Sequence, residues 1–315
     1  MQVELCRGTV VESRHRVHVA VVGENSTLVA HAGDPELVTF WRSAAKPFQA
    51  MPLIDDGAAE HFQLTSEDLA LSCASHSSEP GQVAKVREML QKIGCTERDL
   101  LCGPHRPLSE PVAKDYETRG VRLTAVYSNC SGKHTGMLAL AKHRGWPTEF
   151  YTRLEHPVQQ RCLAEVSRWT GIPAEEIGVG VDGCGVACFA MPLVSMALAY
   201  ARLDERGGPI RDAMLKHPEL IAGEGRPCTQ MMQAHPGRVI TKVGAEGVYS
   251  ALLTRERLGV ALKVEDGHSV ASALAMATVL AELGLRPQPF PAARPIQNSR
   301  GETVGEMRVN GGLTR

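Results

Sequence analysis

The chain has no long hydrophobic run. Its longest apolar stretch, from Val186 to Ala201, is interrupted by Pro192 and is too short to span a bilayer. It has almost no net charge either, with 34 Lys and Arg against 35 Asp and Glu and a formal balance of −1. So balanced a chain projects no long-range field toward nucleic acid or a membrane surface, and no basic run is visible. The opening "MQVELCRGTVVESRHRVHVAVV" scatters charges from Glu4 onward and lacks the apolar segment of a secretory signal, so a cytoplasmic address is expected. The nine cysteines are odd in number, which argues against a complete disulfide framework and fits a reducing compartment. No internal repeat or low-complexity block is visible.

What is present is an ordinary globular composition: 315 residues, 43% hydrophobic and 22% charged. Such a chain buries a full core, as a single domain over 1–315 or as two interlocked lobes. Alternation of apolar residues in "GTVVESRHRVHVAVVGENSTLVAHAG" predicts paired strands turning at Gly23-Glu24-Asn25. "SAAKPFQAMPLI" reads as helix broken by Pro47 and Pro52. In "GQVAKVREMLQKIG", Val83, Val86, Leu90 and Ile93 share one helical face, with Gly94 at the C-terminal end. "VRLTAVYSN" reads as a strand leading into the helix "GKHTGMLALAKHRG". "HPVQQRCLAEVSRWTG" reads as another helix with Pro157 in its first turn. "EIGVGVDGCG" reads as a strand entering a Gly-rich turn, followed directly by an apolar helix through Ala201. "RVITKVG", "GVYSALLT" and "LGVALKVEDG" predict a three-stranded meander, "HSVASALAMATVLAELG" a buried helix, and "RPQPFPAARP" an extended tail. The fold class is α/β (α+β), a central antiparallel sheet flanked by helices.

Three groups of residues carry chemistry. Ser43 and Lys46 form an S-x-x-K, and residues three apart on a helix share a face, so the lysine can take the serine proton for acyl transfer. Taken alone the pattern is common, and a helix start with a solvated lysine is the plainer reading. It is followed in order by Tyr127-Ser128-Asn129 and Lys242-Val243-Gly244, an imperfect version of the S-x-x-K, S-D-N, K-T-G order of penicillin-recognising enzymes. The third group is Cys130-x-x-Lys133 with Cys184. Thiolates suit zinc, although a lysine ligand is rare because it must lose its proton. His134 is the intuitive ligand, but helical neighbours point about 100° apart, so only one of Lys133 and His134 faces such a site. Each cysteine taken singly reads equally well as a small buried hydrophobe.

Together these residues resemble the asparaginases of the Rhizobium etli inducible type, a serine-dependent amidohydrolase family. The resemblance covers nearly the whole chain, through "RSAAKPFQA", "CASHSSEPGQ", "CGPHRP", "NCSGKHTGML", "VDGCGVACFAMPL", "HPELIAGEGRPCT", "KVGAEGVY", "ALKVEDG" and "NSRGETVGEMR". It implies two Ser–Lys pairs facing the substrate, Ser43 with Lys46 and Ser75 with Lys263. It implies zinc held by Cys130, Lys133 and Cys184, with Asp182 supporting the ligand lysine. It further implies a fold like glutaminases and serine β-lactamases, a homodimer, and hydrolysis of L-asparagine to L-aspartate and ammonia. Arg42, beside Ser43, is the candidate for the substrate carboxylate. The rival readings are another serine amidohydrolase, of glutaminase or β-lactam type, and a catalytically silent zinc-binding protein.

Overall fold

The structure, a computed structural model, describes residues 1–285 and 293–315. Its strands in chain order are β1 (Gln2–Arg7), β2 (Val10–Gly23), β3 (Leu28–Ala32), β4 (Val38–Phe40), β5 (Gly178–Val181), β6 (Ala187–Pro192), β7 (Val239–Val243), β8 (Val248–Leu253), β9 (Leu258–Val264), β10 (Ala293–Gln297) and β11 (Thr303–Asn310). The chain divides into two compact units. The first comprises Met1–Ala44, Met191–Asp204 and Gln230–Arg315, and the second Ala45–Ala190 and Glu205–Thr229.

The first unit is built on an antiparallel sheet in the order β10-β11-β1-β2-β9-β8-β7, with β3 also paired to β2. The meander and the opening hairpin are therefore as the alternation predicts. Each residue of β8 is buried, so both faces of that strand are covered. The helix Leu193–Arg206 lies so close to β9 that a Cβ on Gly259 would sit 1.8 Å from the Ala197 carbonyl oxygen, and only glycine fits there. The helix Ser269–Glu282 also packs on this unit's sheet. The β10–β11 hairpin adds an edge that the sequence reading left unassigned. That reading's extended tail lies, for residues 286–292, outside the described residues; its last three residues begin β10.

The second unit is mainly helical. At its centre the helix Ser131–His143 is buried along residues 131–141, apolar or small almost all round, as a core helix must be. It approaches the helix Ser66–Ser72 so closely that a Cβ on Gly132 would lie 2.3 Å from the Leu71 carbonyl oxygen. The helices Pro80–Lys92 and Pro157–Thr170 form as the patterns predict, and Val83, Val86, Leu90 and Ile93 are all buried.

Two local predictions fail. "VRLTAVYSN" is not a strand: it runs into a 3-10 turn at Ala125–Tyr127, whose backbone bonds close locally from Tyr127 N–H to Thr124 O and from Ser128 N–H to Ala125 O. Among the described residues nothing pairs with it as a strand, and its β-branched composition is overridden. The residues after the Gly-rich turn form β6, paired with β5 at Gly180↔Cys188 and Val181↔Ala187, before the helix begins at Leu193. Cys188 is thus a strand residue. Among the described residues no helix is long and apolar enough to cross a membrane.

Candidate active site

In the second unit the helix Ser66–Ser72 begins with a capping box between Thr65 and Asp68 and ends at Cys73. The chain then runs without regular structure from Ala74 to Glu79 before the next helix starts at Pro80. Irregular backbone inside a core needs partners for its polar groups, and this segment has them. Ser75 N–H donates to Ile221 O at 2.9 Å, His76 N–H to Asn129 O at 3.2 Å, and Ser78 Oγ to Tyr127 O at 2.6 Å. Ser75 is 4% exposed.

Lys46, the first residue of the helix Lys46–Ala50, is fully buried, and its amine is directed at this segment. Nζ donates to Ala74 O at 2.5 Å and to Ser75 Oγ at 3.0 Å. A buried amine on a serine hydroxyl is an arrangement that moves protons in acyl transfer. Next along the chain, His76 Nδ1 accepts from Ser78 N–H at 3.1 Å, which leaves the proton on Nε2, 2.8 Å from Ser131 Oγ. Ser131 in turn donates to Val126 O at 2.9 Å. The imidazole is therefore satisfied as a neutral ring, and its pKa is pushed down to about 3, chiefly by complete burial and then by the nearby Lys46 charge.

The Cys130, Lys133 and Cys184 side chains meet a short distance along the same unit. Cys130 immediately precedes the helix Ser131–His143, Lys133 lies in its first turn, and Cys184 lies in the turn that joins β5 to β6. Lys133 Nζ donates to Cys184 Sγ at 3.1 Å, and all three side chains are buried. The adjacent Cys130 thiol lowers the Cys184 pKa against the opposing effect of burial, with the Lys133 ammonium helping, which favours the thiolate at Cys184. Cys184 and burial together raise Cys130, which keeps its proton and donates it to Asn129 Oδ1 at 3.2 Å. Burial alone would lower Lys133, but the charge of Cys184, with that of Asp182, outweighs it and holds its pKa above the usual lysine value. Asp182 shapes the turn itself: its N–H donates to Val186 O at 2.8 Å, and its Oδ1 accepts from Gly183 N–H at 2.7 Å. His134 points elsewhere, with Nδ1 2.7 Å from the Tyr151 hydroxyl, as the 100° argument requires of one of the two neighbours.

In the first unit Ser43 lies in the 3-10 turn Arg42–Ala45, half-buried, and its hydroxyl makes no hydrogen bond among the described residues. Arg42 just before it is held at φ 52°, a left-handed backbone costing a non-glycine residue about 1–3 kcal/mol, and such conformations gather at functional sites. Lys263 is near the end of β9, opposite His18 on β2 and Val248 on β8. Its amine donates to Glu246 O at 2.6 Å, Val264 O at 2.6 Å and Glu265 O at 3.4 Å. Burial lowers its pKa, opposed by Glu246, Asp266 and Glu265. Lys242, of the K-V-G stretch, is fully buried with Nζ 3.0 Å from Val243 O.

The sequence model of the L-asparaginase II family matches residues 3–309. The chain belongs to that family. It is accordingly an asparaginase-like amidohydrolase. No curated protein matches the chain. Among solved structures it is similar to Mglu in its native form, at 13–14% identity in two crystals; in one, 87% of this chain and 65% of that chain align with a TM-score of 0.49. It is similar to the D-alanine carboxypeptidase AmpC from Burkholderia cenocepacia, at 12% identity over 81% of this chain and 90% of that one, with a TM-score of 0.40. It is also similar to an octameric penicillin-binding protein homologue from Pyrococcus abyssi, at 13% identity over 87% and 74%, with a TM-score of 0.42. Likenesses of this size carry nothing about chemistry.

For an L-asparaginase II member the two sulfurs and the amine are the donor set to test against zinc. They fit by chemistry: two cysteines, both reduced, stand beside a lysine that already touches one of them. No group of three His, Cys, Asp or Glu among the described residues could hold a metal, so a zinc at this place would need the lysine, in its neutral form, as its third ligand. Sequence reasoning missed the Lys46–Ser75 contact, because helical spacing pointed Lys46 at Ser43 alone. It also missed the carbonyls around Lys263. A lysine two residues before an E-D-G turn is the only signal, and it is too common to read.

Proposed function

We propose that the protein hydrolyses the side-chain amide of L-asparagine to L-aspartate and ammonia through an activated serine. Membership of the L-asparaginase II family supports the substrate class. The observation that carries the mechanism is the fully buried Lys46 amine 3.0 Å from Ser75 Oγ. In the proposed reaction Ser43, half-buried and unengaged, attacks the amide carbon. Its proton passes to Lys46, the lysine three residues on, which has to enter the step as the neutral amine. The Lys46–Ser75 hydrogen bond then carries a proton to the departing ammonia. Water attacks the resulting ester, with the same groups working in reverse. Lys263 enters as the second partner of Ser75; its three N–H donors are all taken, so it must release one carbonyl to serve a hydroxyl, and Glu265 O at 3.4 Å is the weakest held. Arg42 is proposed as a guanidinium for the substrate carboxylate on the Ser43 side.

Cys130, Lys133 and Cys184 are the residues that would hold zinc, with Asp182 supporting Lys133 through its charge. A bound zinc would supply Lewis-acid polarisation of a carbonyl oxygen. The chain's own contribution there is a thiolate at Cys184 and a lysine kept beside it. A homodimer and a cytoplasmic address complete the proposal. Ammonia release from L-asparagine and L-glutamine by wild type, Ser43→Ala and Cys130→Ala tests it. Release from asparagine that Ser43→Ala abolishes, with the fold intact, supports the serine mechanism. A wild type inert toward both amides sinks the substrate assignment.

A further inference from the structure

Beside Ser75, within the second unit, the segment Ile221–Arg226 is laced to Ser75–Glu79. Ser75 N–H donates to Ile221 O at 2.9 Å, Ser77 Oγ to Ala222 O at 2.8 Å, and Glu224 N–H to Glu79 Oε1 at 2.7 Å. Gly223 has φ 120°, and a Cβ there would lie 2.5 Å from Glu79 Oε1 and 2.9 Å from Ser77 Oγ, so the close approach demands glycine. The turn delivers Arg226, whose NH1 donates to Ser77 Oγ at 3.2 Å. This half-buried guanidinium has five N–H donors and only that one hydrogen bond, and no carboxylate lies within ion-pair distance of it among the described residues. Arg161 shows what the fold does with a structural arginine: it carries both Asp56 and Glu165. A half-buried cation left without an anion is unusual, and a planar fork with open donors suits a carboxylate.

We propose that Arg226 is a second guanidinium for the α-carboxylate of the amino-acid substrate, in addition to the one proposed at Arg42, and so sets the preference for a free amino acid over a simple amide. The scale is right. Ser77 stands at most about 7 Å from Ser75 along an extended chain, and in asparagine the carboxylate and amide carbons are three C–C bonds, about 4 Å, apart. A substrate whose amide lies by Ser75 Oγ thus brings its carboxylate toward the guanidinium at Ser77. The inference rests on the amino-acid amide reading above.

The test measures KM and kcat of wild type, Arg226→Gln and Arg226→Lys on L-asparagine and on 3-aminopropanamide, which is asparagine without its α-carboxylate. Thermal melting checks that the variants fold. Arg226→Gln is expected to raise KM for asparagine at least tenfold with kcat within about threefold, and to leave the reaction with 3-aminopropanamide unmoved. Arg226→Lys should fall between, because it keeps the charge and loses the fork. Equal losses on both substrates, or no change in KM, overturn the assignment. If wild type releases ammonia from neither compound, the reaction reading has failed separately. L-aspartate titrated calorimetrically into wild type and Arg226→Gln then decides the carboxylate site, and equal heats, including none, refute it.

Discussion

Removing the contact between Lys46 and Ser75 one side at a time, and then both together, tests whether the two act as a unit. Lys46→Met deletes a fully buried amine that donates to Ala74 O and Ser75 Oγ. Both acceptors are then left without that donor, at about 1–3 kcal/mol each, offset in part because the buried amine no longer needs solvating. Ser75→Ala removes one acceptor and leaves Lys46 with the Ala74 carbonyl, at about 1–3 kcal/mol. If the hydrogen bond is shared property, the stabilities of the two single variants do not add; the coupling should be on the order of 1–3 kcal/mol. In activity each single variant should lose about 10²–10⁴-fold in kcat, the usual contribution of a positioned proton carrier. The double variant should be no worse than the poorer single one, as for other groups that act together. The assay is ammonia release from L-asparagine under saturation, with urea unfolding of the same samples. A double variant whose loss is the product of the two single losses would refute the shared role. So would a Lys46→Met enzyme within tenfold of wild type.

Zinc content measured by plasma mass spectrometry should fall by at least half in Cys130→Ala, Cys184→Ser and Lys133→Met. In wild type, uptake should weaken as pH falls, because Cys130 and Lys133, both with raised pKa values, must lose protons to bind metal; uptake independent of pH would contradict the lysine ligand. His76 makes stability pH-dependent: its pKa is about 3 in the folded chain against 6.5 unfolded, so its contribution is complete above pH 6.5 and is lost as pH falls from there toward 3. Its share approaches about 1.4 kcal/mol per pH unit, so urea midpoints of His76→Asn should fall less steeply below pH 6 than those of wild type. Gly132→Ala drives a methyl against the Leu71 carbonyl and should cost about 1–3 kcal/mol in urea unfolding, where an unchanged midpoint would show that the two helices separate freely. Light scattering should give twice 34.0 kDa if the proposed dimer forms.

The sequence by itself determined most of the elements, because their signals are local. Alternation marked β2 and the β7–β9 meander, the 3.6-residue period marked Pro80–Lys92, and Gly94 with φ 65° closed that helix as its chemistry suggests. Helical spacing also allowed only one of Lys133 and His134 to face such a site, since adjacent helical side chains diverge whatever surrounds them; it was the family resemblance that named Lys133. Tertiary structure decided the rest. "VRLTAVYSN" has strand composition and no strand beside it, and β6 exists because β5 lies alongside, which no window of its own residues reveals. The same holds at the site. Ser43 and Lys46 are related by spacing, whereas Lys46 and Ser75 are 29 residues apart and meet only because the segment after Ser72 is held on Ile221 and Asn129. Lys133 and Cys184 are 51 apart and need the β5–β6 turn against the core helix. Arg226 looks like any surface arginine in sequence; what singles it out is the absence of an acid beside it among the described residues, and long-range packing alone fixes which charges go unpaired.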